Sequence, residues 1–185
     1  MPAAGPGGDK RPTIFGLSPN SRQVMATSTG PSLFLSPADH QKASMSIWKQ
    51  TISVEVLTAS HVNTAVQRLG IEFLEVGDDF IRARVPIDSR TIQPYGLLHG
   101  GVSVVLAETL GSCGAVYSAS DGHRVVGLDI NANHLRAATS GWVTGTARPI
   151  HRGRSTHVWQ IELHNDAGEM TCISRITMAI LAPKE

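Results

Sequence analysis

An α+β domain, with an antiparallel sheet curled around one long central helix, is predicted by three features of this 185-residue chain. A long stretch of small apolar residues runs from about Gly100 to Tyr117 and stops at Ser120-Asp121-Gly122. A hairpin pattern precedes it. After it, strand patterns follow one another with no helical period between them.

The elements are justified in chain order. Ser53 is placed to cap a short helix over SVEVLTASH, and Asn63 to cap a second turn running through Arg68 to Gly70. Ile71 to Val76, the turn Gly77-Asp78-Asp79 and Phe80 to Ile87 form the hairpin, its second arm alternating apolar and basic residues. The loop from Asp88 to Leu98 leads into the long helix, which is expected to be buried nearly all round. Val126, Leu128, Ile130 and Ala132 then alternate with Gly127, Asp129, Asn131 and Asn133, the period of a half-buried strand. Strands over Trp142 to Ile150 and around Trp159, Ile161 and Leu163 follow. The turn Asn165-Asp166-Ala167-Gly168 reverses the chain into a last strand, Met170 to Leu181.

Ahead of this domain, residues 1–44 hold six of the ten prolines, five glycines and six serines, with no helical or strand period. They read as a disordered leader, 1–44, before a folded domain, 45–185. With 41% hydrophobic residues the chain can bury a core, and a formal charge of +1 gives no electrostatic reason for a nucleic-acid or membrane-surface partner. Cys113 and Cys172 have neither disulfide-framework nor metal spacing. No apolar run suggests a signal peptide or an uninterrupted span, so a cytoplasmic protein is the expectation.

Glu108 is the sharpest feature: scarcely another charge lies between His99 and Asp121. An ionised carboxylate in a buried helix is costly unless paired or hydrogen-bonded, which marks it as a base or nucleophile. Ser112, four residues on, shares its helix face. Gly100-Gly101 at the helix start lets another molecule approach free N–H groups at the positive dipole end, the makings of an oxyanion hole. At 1.5 Å per residue, Gly100 and Glu108 of one chain are about 12 Å apart along the helix. If both act on one carbonyl, Glu108 comes from a second subunit with an antiparallel helix, which predicts a two-fold dimer. His134, Arg136, Arg148, His151, Arg152 and Arg154 form a basic group suited to phosphate. His61, His123, His157 and His164 have no ligand spacing and are expected to be surface or satisfied side chains, not a metal site.

The stretch from Gln93-Pro94-Tyr95-Gly96-Leu97-Leu98-His99-Gly100-Gly101 through Leu106-Ala107-Glu108-Thr109-Leu110-Gly111-Ser112, followed by Val125 to His134, closely resembles the hotdog-fold acyl-CoA thioesterases, over about Met45 to Leu181. The resemblance implies a hotdog fold and hydrolysis of acyl-CoA, with hydroxybenzoyl- or dihydroxynaphthoyl-type aromatic acyl groups first, the latter linking to menaquinone biosynthesis. It implies Glu108 as general base or nucleophile, Gly100 as the N–H that polarises the thioester carbonyl, Gln93 and His99 flanking that carbonyl, and Ser112 positioning water or thioester. Gly127, the segment His134-Leu135-Arg136-Ala137 and the turn His151-Arg152-Gly153-Arg154-Ser155-Thr156 match regions that contact the pantetheine and nucleotide of CoA. It implies no metal or redox cofactor, no partner beyond the acyl-CoA substrate, and a homotetramer built from two dimers. Beside it stand a thioesterase for medium-chain acyl-CoA or acyl-carrier-protein substrates, a hotdog dehydratase and a non-catalytic acyl-CoA-binding module.

Overall fold

Local sequence explains the first elements of the structure, a computed structural model that describes residues 46–183. The expected leader, 1–44, lies outside the described residues. The first helix, α1 (Val54–Ser60), is capped as expected, Ser53 Oγ accepting from the Val56 N–H. The next turn, α2 (Ala65–Arg68), is capped differently. Its N-cap is Thr64, while Asn63 takes a positive φ of 62° and donates its N–H to Gln67 Oε1. Asn tolerates that conformation, so here it reverses the chain rather than starting the helix.

The hairpin strands β1 (Glu72–Val76) and β2 (Ile81–Pro86) pair antiparallel. The basic residues on the second arm find partners across the strands: Arg82 pairs with Glu75 and Arg84 with Glu72. Alternation therefore buries Ile81, Ala83 and Val85 on one face while these exposed pairs line the other.

The long helix is α3 (Gly100–Ser118), followed by β3 (Arg124–His134), β4 (Trp142–Arg152), β5 (Thr156–Asn165) and β6 (Met170–Leu181). The six strands form one antiparallel sheet in the order β1-β2-β4-β5-β6-β3, curled over α3. Leu106 and Leu110 of α3 meet Ile81, Trp159, Ile161 and Ile176 of the strands in the core. Small helix residues make that approach possible: a Cβ on Gly114 would stand 2.7 Å from the Trp159 ring. Trp48 stacks on Trp159, with ring centroids 6.2 Å apart, and covers that end of the core.

Two expectations need correction. The helix is not buried all round in the chain taken alone. Ten of its nineteen residues are buried, but Gly101, Val104, Val105, Glu108, Ser112 and Val116 lie along a half-open stripe. Nor does β3 keep a single alternation. A bulge between Gly127 and Asp129 switches its faces, so Val125, Ile130 and Ala132 pack inward while Val126 and Leu128 are 46% and 63% exposed. The stripe of α3 and the free edge of β3 adjoin one another. By length and composition α3 could cross a membrane, yet here it is the core helix of the curled sheet.

Candidate active site

The loop entering α3 is held from several sides, which fixes the helix start. Thr91 Oγ1 donates to the Pro86 carbonyl at 2.7 Å, and the His99 N–H to the Thr91 carbonyl at 2.8 Å. Leu98 donates to the Ala138 carbonyl at 2.8 Å. Within the loop, Gln93 Oε1 accepts from the Tyr95 N–H at 2.7 Å, and Gly96 takes a positive φ of 77° to close the turn.

Four N–H groups at a helix start lack intrahelical partners, and their disposition here is specific. His99 is the N-cap, and its Nδ1 accepts from the Gly101 N–H at 2.9 Å, which leaves the ring proton of neutral His99 on Nε2. The His99 carbonyl receives both the Val102 and Ser103 N–H groups, at 2.9 and 3.2 Å. The Gly100 N–H has no acceptor among the described residues. It is a free donor at the positive end of a nineteen-residue helix.

A cavity of about 340 Å³ opens at this end. The structure brings Gln93, Gly100, His134, Leu135, Arg136 and Ala137 together in its wall, six of the residues expected from the sequence. A Cβ on Gly100 would stand 2.9 Å from His134 Nε2, so that exposed ring would have to shift. Arg136 also reaches Glu169 at 3.5 Å, an exposed pair. His99 does not line the cavity; it acts on the helix start.

Glu108 lies elsewhere, two turns along α3 and half-buried. Its Oε1 accepts from Ser112 Oγ at 3.2 Å, so the expected pairing on one helix face is present. Its other neighbour was not expected: the same Oε1 would be 3.2 Å from a Cβ on Gly127. Gly127, read from the sequence as a CoA contact, is the place where β3 makes room for the carboxylate. Neither Glu108 nor Ser112 reaches the cavity wall at Gly100, as the helix spacing required.

The turn His151 to Thr156 is a third location. Arg152, Gly153 and Arg154 line a polar cleft of about 280 Å³ with Lys49, His123 and His157, while His151 and Ser155 are exposed beside it and Thr156 is half-buried. Arg152 spends one donor on the Ile47 carbonyl at 3.1 Å. Arg148 leaves this group. It pairs with Asp79 and lies over the Phe80 ring, 4.6 Å from its centroid. His157, expected at the surface or satisfied, is 4% exposed and its Nδ1 has no hydrogen-bond partner among the described residues. Burial first, then the charge of Arg152, hold its imidazole below the usual histidine range.

Sequence reasoning also passed over Ser103, a buried residue in the wall beside Gly100; its place three residues after Gly100, on the same helix face, was the available signal. Of the cysteines, Cys113 is buried with its thiol pushed up to about 12, too high for a nucleophile at neutral pH.

Comparison with known proteins gives a consistent picture. Residues 95–172 match the family described as the thioesterase superfamily. The chain is 49% identical over 135 residues to the 1,4-dihydroxy-2-naphthoyl-CoA hydrolase of Escherichia coli, covering 73% of this chain and 99% of that protein. It is 45% identical over 135 residues to a proofreading thioesterase of Cronobacter turicensis, covering 73% and 98%. A crystal structure of a thioesterase from Haemophilus influenzae superposes with a TM-score of 0.73 at 48% identity, over 75% of this chain and 97% of that one.

Proposed function

The chain belongs to the thioesterase superfamily and is a thioester hydrolase, and from that premise we propose that it hydrolyses aryl-CoA thioesters of hydroxybenzoyl or dihydroxynaphthoyl type to the free acid and CoA. The observation that carries the site assignment is the Gly100 N–H, a donor without an acceptor at the mouth of a cavity and at the positive end of α3. A thioester carbonyl docked there meets a preorganised donor as negative charge builds on its oxygen. The aryl preference draws its support from the named activity of the E. coli relative.

Glu108 is the proposed base or nucleophile, with Ser112 holding its Oε1. In the first route it takes a proton from water, the hydroxide adds to the carbonyl carbon, and the thiolate of CoA leaves and is protonated. In the second it attacks the carbonyl carbon itself, the C–S bond breaks and the CoA thiolate leaves and is protonated, and water cleaves the resulting anhydride to release the acid and restore the Glu108 carboxylate. Because Gly100 and Glu108 of one chain stand about 12 Å apart along α3, the reacting pair comes from two copies of the chain. The half-open stripe of α3 beside the free edge of β3 supports this, since it leaves Glu108 on the side where a second copy would sit. Gln93 and His99 order the donor end. His134 to Ala137 line the path of the pantetheine arm, and the turn His151 to Thr156 meets the phosphates of CoA.

The test is kcat/KM across hydroxybenzoyl-, naphthoyl- and medium-chain acyl-CoA and carrier-protein thioesters. Preference for the aryl esters is expected. Preference for aliphatic chains or for carrier protein overturns the aryl assignment.

A further inference from the structure

The wall beside Gly100 holds a hydroxyl with no partner among the described residues. Ser103 is 5% exposed and lines the same cavity as Gly100 and His134. Among the other buried hydroxyls, Thr91, Ser118, Thr171 and Ser174 each donate to a backbone carbonyl. The hydroxyls of Ser103 and Thr109 make no hydrogen bond among the described residues, and of these two only Ser103 lines the cavity. A helical serine ordinarily bonds back to the carbonyl four residues earlier, as Ser118 does to Gly114 at 2.7 Å. For Ser103 that carbonyl belongs to His99, and it already receives two N–H groups. The Ser103 oxygen is not sealed off, since the buried side-chain atoms without a partner among the described residues are His157 Nδ1 and Trp159 Nε1; it opens onto the cavity, where a ligand can meet it.

We propose that Ser103 is a substrate-binding residue whose hydroxyl donates to the first amide carbonyl of the pantetheine arm while the thioester carbonyl sits on the Gly100 N–H. The spacing fits. Residues three apart share a helix face, and Ser103 stands about 4.5 Å beyond Gly100 along the axis. In CoA thioesters only the ethylene bridge of cysteamine separates the sulfur from that amide, so the two carbonyls lie about one helical turn apart. The side chain of Ser103 leans toward the helix N-terminus, and hence toward the docked thioester. The wall is apolar at Leu97, Leu98 and Ala138 and polar also at Gln93, His134, Arg136 and Thr171; of these polar groups Ser103 is the one on the helix itself, where it reads a group common to every CoA thioester, whatever its acyl chain. Positioning of this kind sets the distance between carbonyl carbon and attacking group.

The inference rests on Gly100 being the carbonyl-binding end. The experiment compares one acyl group on three leaving groups: CoA, N-acetylcysteamine, which keeps the amide, and propanethiol, which lacks it. Ser103→Ala is expected to lower kcat/KM about ten-fold for the first two, the worth of one neutral hydrogen bond, and to leave the propanethiol ester unchanged; Ser103→Thr, which keeps a hydroxyl, restores the loss. An equal loss on all three esters, or none on any, overturns the proposal. Gly100→Pro run alongside separates the two readings. If it remains as active as wild type, the carbonyl site itself is misplaced; if it fails on all three esters while Ser103→Ala shows no dependence on the amide, only the role of Ser103 falls.

Discussion

The carboxylate of Glu108 rests on the backbone of Gly127: Oε1 lies 3.2 Å from where a Cβ would stand on that residue. The bulge that follows in β3 and the Ser112 hydroxyl on the other side leave the carboxylate one seat between strand and helix. A methyl group there displaces the carboxylate by a few tenths of an ångström without touching the core. Gly127→Ala is therefore expected to unfold within about 1 kcal/mol of wild type, the small cost usual for sites outside the core, while kcat falls about ten-fold or more through misplacement of the reacting group. Unfolding midpoints and steady-state kinetics check the pair; unchanged kcat would refute the seat.

Glu108→Gln keeps the shape and removes the carboxylate proposed as base or nucleophile. A fall in kcat of about two to three orders of magnitude is expected on the preferred ester, the size of a lost general base. A folded variant with near-normal turnover would dismiss Glu108 from the chemistry.

Gly100→Pro deletes one donor and adds a Cβ that crowds the His134 side chain. Proline is at home in the first position of a helix, and the preceding His99 already has the extended backbone that proline demands, φ −64° and ψ 129°. The loss expected in kcat is about a hundred-fold or more, with Gly100→Ala as control for the new Cβ against His134. Mixed with Glu108→Gln after joint refolding, Gly100→Pro should recover activity toward about a quarter of wild type, because some two-fold pairs then hold one intact site. No recovery on mixing would place both groups in a single chain.

Arg154 lines the basic cleft and has no carboxylate partner among the described residues. Arg154→Ala is expected to raise KM for a CoA ester several-fold and to leave the matching pantetheine ester unaffected, since only the former carries phosphates. Equal effects on both esters would remove the phosphate role.

His157 ties stability to pH. Burial and the charge of Arg152 depress its folded value, whereas in the unfolded chain it titrates near about 6.5. Below that pH the unfolded chain takes up a proton that the folded chain refuses. Stability is thus fully present above about pH 6.5, declines as pH falls through it, and stops declining below the depressed folded value. Urea midpoints between pH 5 and 8 should fall more steeply on acidification for wild type than for His157→Gln; parallel curves would contradict this.

Much of this was legible from residue order. Glu108 stood out because a charge inside an apolar helix needs a reason, and Gly100 because its position at a helix start has a physical meaning that survives any packing. The half-open stripe of α3 was not legible, since a helix apolar on every face looks the same whether the sheet alone covers it or a second surface completes the cover. The change of face along β3 depends on its register against β6, which a single strand's pattern does not contain. The free hydroxyl of Ser103 depends on His99 having already spent its carbonyl, and the burial of His157 on the sheet around it, where β6 pairs with it at Met178.

The free edge of β3 sets a condition on how this protein must live. Paired with β6 on one side, this eleven-residue strand turns its alternate backbone groups outward beside the exposed side chains of Val126 and Leu128, with the bulge and Asp129 but no proline or lysine to discourage a wrong neighbour. A newly folded chain thus presents an open template, and whichever strand reaches it first is recorded there. If a second copy is the proper occupant of that edge, the speed with which it arrives, and the concentration that governs it, bears on the yield of usable protein alongside the stability of the fold itself.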